Sequence, residues 1–418
     1  MYIRDPIHGD IELDHLEQKI LDCAEIQRLR TIKQLGTAYL VYPGCTHTRF
    51  EHSLGTMAVA KRILTTLAAT SESIPIYSSQ LITISALLHD ITHIPFGHTF
   101  EDERAIFPRH DKGHRLDYFL AGDTEIGRQL QLAGLLNDTR AILSGQIKDW
   151  RAQIIASALD ADLLDYLRRD AYMAGLAQTY DERIFQHFRV VSDQLVLNMV
   201  KHNMDRSDIK SEIVHLLRLR YYLSERVYFH HAKVISGAMI SKAVELALGY
   251  GLTEHTLLQL GDYTLFETLK NLGLKHNPAI TALVTAVEHR HLLKRAYILT
   301  SESVTEEQRD LLMQNYHFGD GQRPRLEREI AAAFGLNDGE IIVYCPGART
   351  FREAAIPVFS KHGLHKLNSI QPAPPEDINQ LQRQYQKLWR FYVFAPDSHR
   401  HEVQNFCETY FRLPSEHV

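Results

Sequence analysis

The sequence predicts a mainly α-helical core followed by a small α+β lobe, and three observations carry that expectation. Over most of residues 1–300, apolar side chains recur at helical spacing in runs that open on serine or close on glycine. After about residue 300 the texture changes to short apolar runs flanked by turn formers, which read as strands. The chain has 418 residues, of which 44% are hydrophobic and 23% charged, a globular composition long enough for more than one core. The expected division is a helical core over 1–300 and a lobe over 301–418.

In chain order, Leu13 to Gly36 reads as a charged amphipathic stretch closed by a glycine. Ser53 stands in N-cap position for a helix reaching Thr70, with Leu54, Met57, Ala58 and Ile63 as its apolar face. Ser79 to Asp90 opens on serine, runs apolar from Leu81 to Leu88 and ends on the polar pair His89-Asp90. Arg151 to Gly175 reads as one helix with a glycine stop. Ile209 to Gly249 reads as one or two long helices. In the lobe, Glu340 to Cys345 is a strand before a Pro-Gly turn, and Gln371 to Pro375 is a loop. Arg390 to Ala395 is a second strand, and Ser398 to Tyr410 a helix.

Lys plus Arg is 46 and Asp plus Glu 51, a net charge of −5, which argues against a polyanion binder held by bulk charge. An anionic ligand would need local positive groups or a metal. Four scattered cysteines suit a reducing cytoplasm better than a disulfide framework. The N-terminus has no signal pattern and no apolar run reaches membrane-spanning length, so a cytoplasmic protein without membrane partners is expected. The unusual number is 24 His, seven of them between His47 and His114.

Three sites stand out: RFEHS from Arg49, LLHD ending at Asp90, and DADLLDY from Asp160. Ile155, Leu159, Asp162 and Tyr166 share one helical face at i, i+4, i+7 and i+11, so Asp162 is expected to point inward. A buried carboxylate is costly unless paired or bound to a metal. Asp165 and Arg169 are four apart and would form a surface ion pair on another face. Imidazole and carboxylate together suit a divalent transition metal, Mn, Fe, Ni or Zn. Such an ion activates water and polarises a phosphoryl oxygen. Each residue also has a structural reading, as helix cap, core hydrogen-bonder or ion-pair partner.

His52, His89-Asp90 and Asp162 together resemble the H…HD…D pattern of the HD-domain metal-dependent phosphohydrolases. DPIHG from Asp5, QRLRTIKQLG from Gln27, YPG from Tyr42, RFEHSLG from Arg49, HDITHIPFGH from His89 and DYLRRD from Asp165 narrow the resemblance. They are similar to deoxynucleoside triphosphate triphosphohydrolases, including the animal SAM-and-HD-domain enzymes and bacterial dGTPase-like relatives. The likeness covers most of 1–300 and fades in the lobe.

The resemblance implies hydrolysis of a dNTP to deoxynucleoside and inorganic triphosphate. It implies His52, His89, Asp90 and Asp162 as metal ligands, with room for an additional Mg. His93, His98 and His110 would lie beside the phosphates, His98 as general acid with Glu101 orienting it. Arg49 and Arg220 would contact phosphate oxygens. Tyr166 and Asp170 would face the sugar, with Asp170 taking the 3′-hydroxyl, and Gln34 and Leu35 would form the opposite wall. Tyr228 would close over the 2′ position and disfavour ribonucleotides. His47, His114, His230 and His231 read as structural or surface residues.

Asp22, Gln27 and Arg30 match a guanine-nucleotide effector site that spans subunits in the animal enzymes. A homo-oligomer, dimer or tetramer, with such an effector is therefore expected; nucleic acid is not indicated. Leu163 replaces a phosphate-contacting Lys, Ser224 a His, and Arg4 an Asn of a second nucleotide site. The alternatives are an HD phosphohydrolase acting on a nucleoside monophosphate, cyclic dinucleotide or alarmone, or a non-enzymatic nucleotide sensor.

Overall fold

The computed structural model describes residues 1–70, 74–110, 114–318, 321–348, 355–369 and 376–416; the expected loop from Gln371 to Pro375 lies outside them. The fold is mainly helical, as the periodicity implied. Its core helix, Arg49–Thr70, packs between Ile76–Leu88 and Ala161–Met173. His231–Leu248 packs on Asp262–Lys275 and Pro278–Glu288.

Several boundaries differ from the sequence reading. The core helix starts at Arg49, four residues before Ser53, which is buried inside it. Thr48 caps it: the Glu51 carboxylate accepts from both the backbone N–H and the hydroxyl of Thr48, half of a capping box. Leu13 to Gly36 is not one stretch. It breaks into His15–Leu21, Ala24–Gln27 and the 3₁₀ turn Arg28–Thr31, then pairs Lys33 with Thr48 across an isolated bridge. Arg151 to Gly175 is also broken. Trp150–Gln153 ends early, and Asp160 caps a new helix, Ala161–Met173, by accepting from the Leu163 N–H. Ile155 and Leu159 therefore do not share a helix with Asp162.

Two lobe strands, Ile342–Tyr344 and Arg390–Ala395, match their sequence pattern for a physical reason, whereas Lys294–Thr300 joins the same sheet from the stretch read as helical core. Lys294–Thr300, Arg390–Ala395 and Ile342–Tyr344 form an antiparallel sheet with Arg390–Ala395 in the middle. Tyr392 and Phe394 face the main core, whereas Phe391, Val393 and Ala395 face a second cluster with Trp389 and Cys407. A sheet covered on both faces needs continuous apolar runs, not alternation. A second sheet joins distant parts of the chain. Its order is Gly363–Lys366, Pro357–Ser360, Gln194–Asn198, Phe188–Val191, with Gln194–Asn198 and Pro357–Ser360 parallel. All four cysteines are buried and free, and among the described residues no helix is long and apolar enough to cross a membrane.

Candidate functional site

His52 lies one turn into the core helix, His89 and Asp90 follow the end of Ile76–Leu88, and Asp162 occupies the first turn of Ala161–Met173. Their donor atoms converge. His52 Nε2 lies 2.9 Å from Asp162 Oδ1 and 3.2 Å from His89 Nε2, and His89 Nε2 lies 3.8 Å from Asp162 Oδ1 and 3.5 Å from Asp90 Oδ1. Asp162 is not buried as expected: its side chain is 37% exposed.

The far nitrogen of each imidazole is fixed. His52 Nδ1 lies 2.8 Å from Asp165 Oδ2, and His89 Nδ1 lies 2.8 Å from the Ala86 carbonyl. A partner on the second ring nitrogen is the usual arrangement behind a metal-bound histidine. His52, His89 and Asp162 bring donors close enough to hold a divalent transition metal, with an Asp90 oxygen 3.5 Å from His89 Nε2. Burial would lower the His52 pKa, but hydrogen bonds and charge from Asp162 and Asp165 outweigh it and lift it to about 10. Burial would raise Asp90, yet Arg49, 2.6 Å away, holds it well below the usual carboxylate range.

Asp165 and Arg169 are a correction: their pair is fully buried, not a surface bridge. Asp165 binds His52, His8 at 2.6 Å and Arg169, while Arg169 also pairs with Asp5 at 2.8 Å. The DPIHG turn is thus docked behind His52. Gly55 permits this approach, since a Cβ there would lie 2.0 Å from Asp165 Oδ1.

A second histidine cluster adjoins the first. The rings of His93 and His110 lie 3.8 Å apart, and that of His98 lies 4.8 Å from His93. His93 Nε2 is 3.2 Å from Asp90 Oδ1, so Asp90 stands between the two groups. Glu101 does not reach His98. Residues Thr99–Glu103 form a π-turn, which widens the spiral and brings Asp102, not Glu101, to His98 Nδ1 at 3.0 Å. Glu101 instead binds His110 at 3.1 Å and Arg115 at 2.5 Å. Burial would raise its pKa, but His110, His98 and Arg115 hold it at about 2. Arg28, absent from the sequence reading, donates to the carbonyls of Ile91 and His93 and pins the loop between the clusters.

On the other side, Asp170 is flanked by His47 Nε2 at 2.9 Å and the Tyr228 hydroxyl at 2.7 Å. His47, read from sequence as structural, therefore belongs to this wall. Tyr166 lies edge-on to His52 and Tyr228, with the Arg220 guanidinium 5.6 Å from its ring centre. Gln34 hydrogen-bonds through its backbone N–H to the His47 carbonyl, and Leu35 packs on the core. Asp22 and Arg30 are exposed. Arg30 donates to Gln27 at 2.8 Å and stacks 3.5 Å over Phe50.

The HD domain family matches residues 49–170, and the HD associated region matches residues 181–418. An uncharacterized protein of Methanocaldococcus jannaschii is 30% identical over 94% of this chain and 79% of its own length. The bovine deoxynucleoside triphosphate triphosphohydrolase SAMHD1 is 28% identical over 58% of this chain and 46% of its own length. The chain thus spans about half of that relative. A Bacteroides thetaiotaomicron phosphohydrolase superposes with a TM-score of 0.70 over 94% of this chain and 99% of that one, at 22% identity.

Proposed function

We propose that this chain, which belongs to the HD-domain phosphohydrolase family, hydrolyses deoxynucleoside triphosphates to deoxynucleoside and inorganic triphosphate. The observation that carries the reading is the convergence of His52, His89, Asp90 and Asp162 beside the three-imidazole cluster of His93, His98 and His110. A divalent metal held there supplies Lewis-acid polarisation of a phosphoryl oxygen.

The chain's own groups do the rest. Water adds at the α-phosphorus and gives up a proton to solvent, the bond to the 5′ oxygen breaks, and His98 gives that oxygen its proton. Asp102, bonded to the other ring nitrogen, orients His98 for that transfer. Arg220 and Arg49 neutralise phosphate charge, Arg49 moving from Asp90 to do so. Asp170, already flanked by His47 and Tyr228, accepts the 3′-hydroxyl through its remaining lone pairs. Tyr228 fills the space a 2′-hydroxyl would need. Asp22, Gln27 and Arg30 are the residues for a guanine-nucleotide effector at a subunit boundary of a homo-oligomer. The similarity to SAMHD1 supports the nucleotide substrate.

The test is incubation of the purified protein with each dNTP and NTP in Mn, Mg, Ni or Fe, with both products identified. Triphosphate released from dNTPs is expected. Orthophosphate from a monophosphate or pyrophosphate from an alarmone moves the reaction to another phosphoester. Inactivity with every metal and nucleotide rejects the reading.

A further inference from the structure

The segment that carries His98 follows an unusual path. Phe96 (φ 55°) and Ala105 (φ 47°) both sit in the left-handed region, with the π-turn Thr99–Glu103 between them. Such a backbone persists only where its surroundings over-determine it.

Arg104 supplies much of that surrounding. Its side chain is fully buried. Nη1 donates to the Val343 carbonyl at 2.7 Å and Nη2 to Glu245 at 2.7 Å, and both reach Glu327 at 3.4 and 3.3 Å. Glu327 also accepts from the Val343 N–H at 2.9 Å and from Lys242 at 2.6 Å. Arg323, equally buried, donates to the Arg104 carbonyl at 2.8 Å, to the His317 carbonyl at 2.7 Å and to Glu245. Lys233 pairs with Glu103 on the near side. Val343, Glu327 and Arg323 all belong to the lobe, so both the side chain and the backbone of Arg104 are gripped from there.

A buried ionic node is a poor source of stability compared with apolar packing, because desolvation offsets much of the attraction. What it supplies is direction: a guanidinium fork fits its acceptors in few orientations. Two residues separate Arg104 from Glu101 and one separates it from Asp102, so a fixed Arg104 fixes the partners of both His98 and His110.

We propose that Arg104 is a positioning residue through which the C-terminal lobe holds His98 and Asp102 against the metal centre, making the lobe part of the catalytic apparatus. The proposal rests on the reading of His98 as proton donor.

Glu327→Gln, made in the full chain, removes one charge of the node and keeps its shape. Glu245→Gln, at the more exposed acid, is the milder variant should the first fail to fold. Metal content, KM, kcat and hydrogen–deuterium exchange over 97–110 are measured for each. The expected result is wild-type metal content, KM within about twofold, faster exchange confined to 97–110, and kcat down about tenfold or more, as small displacements of reacting groups cost that much. Arg104→Lys should restore less than the native fork does. Unchanged exchange and kcat in a folded variant overturn the proposal, and so does a fall in kcat accompanied by faster exchange throughout. A wild type inactive on every nucleotide instead overturns the functional reading, and exchange over 97–110 alone then decides the clamp.

Discussion

The two histidine clusters meet at Asp90 and both have imidazoles tied to carboxylates, but they differ in the backbone that carries them. The His52 cluster is carried on regular helices or their ends, and each imidazole has its far nitrogen tied, to Asp165 or to the Ala86 carbonyl. In the His93, His98 and His110 cluster, His98 directly precedes the π-turn Thr99–Glu103 and is 45% exposed, with its Nδ1 bonded to Asp102. Gly97 is needed for the chain to pass over His93, because a Cβ would lie 2.9 Å from its ring. A metal centre requires fixed donors, whereas a proton donor must meet a substrate that comes and goes. The difference separates holding from reaching.

The comparison can be broken most severely at a ligand. Asp162→Ala should lose bound metal and essentially all hydrolysis, with melting temperature little changed because a partly exposed side chain is removed. Metal analysis beside activity checks this; near-wild-type turnover would remove Asp162 from the centre.

The next test sharpens it by cutting one orienting carboxylate in each cluster. Asp165→Asn should weaken metal retention by roughly 10–100-fold, the usual effect of losing such a partner. Asp102→Asn should leave metal retention alone and lower kcat by about 10²-fold. If Glu101→Gln rather than Asp102→Asn gave the pure kcat effect, the π-turn geometry would be wrong.

Tyr228→Ala should raise the GTP rate relative to dGTP by roughly tenfold, the scale of one lost steric exclusion in a pocket. An unchanged ratio takes Tyr228 out of the sugar wall.

How much of this was legible in sequence depends on which interactions are local. His52, His89, Asp90 and Asp162 could be singled out because the two-residue pair His89-Asp90 and its spacing to the other two survive without a structure. The role of Asp165 could not. Its partners His8 and His52 come from 157 and 113 residues away, and assuming a helix from Arg151 assigned it to a surface. Asp160, as a cap, was the missed signal. The π-turn at Thr99–Glu103 has no sequence signature, so Glu101 and Asp102 exchanged roles. Ile342–Tyr344 and Arg390–Ala395 were legible because a doubly covered sheet writes itself as an apolar run. Phe188–Val191 and Pro357–Ser360 were not: both are only four residues long, and Pro357–Ser360 pairs with Gln194–Asn198 from far along the chain.

The smallest expected effect lies outside both clusters. Asp262 is buried and accepts from the N–H of Lys33, which bridges to Thr48 at the start of the core helix, and burial raises its pKa to about 6. A raised carboxyl binds protons more tightly folded than unfolded, so its contribution is complete below about pH 4 and is lost as pH climbs through 6. The change is on the order of 3 kcal/mol at most. Asp262→Asn should flatten the fall in melting temperature between about pH 4 and 6 relative to wild type, and identical curves for the two proteins would discount it.

The parallel pairing of Gln194–Asn198 with Pro357–Ser360 has a consequence for how the chain is made. Leu195, Val196 and Leu197 are buried in the finished protein, yet one edge of their strand waits for a partner some 160 residues downstream. At a synthesis rate of roughly 5–20 residues per second, that edge stays open for about 8–30 s on the ribosome. An open apolar edge is a template for pairing with other chains. The nascent helical domain is therefore exposed to aggregation until its last third emerges, and its yield in a cell is set by what shields that strand in the interval.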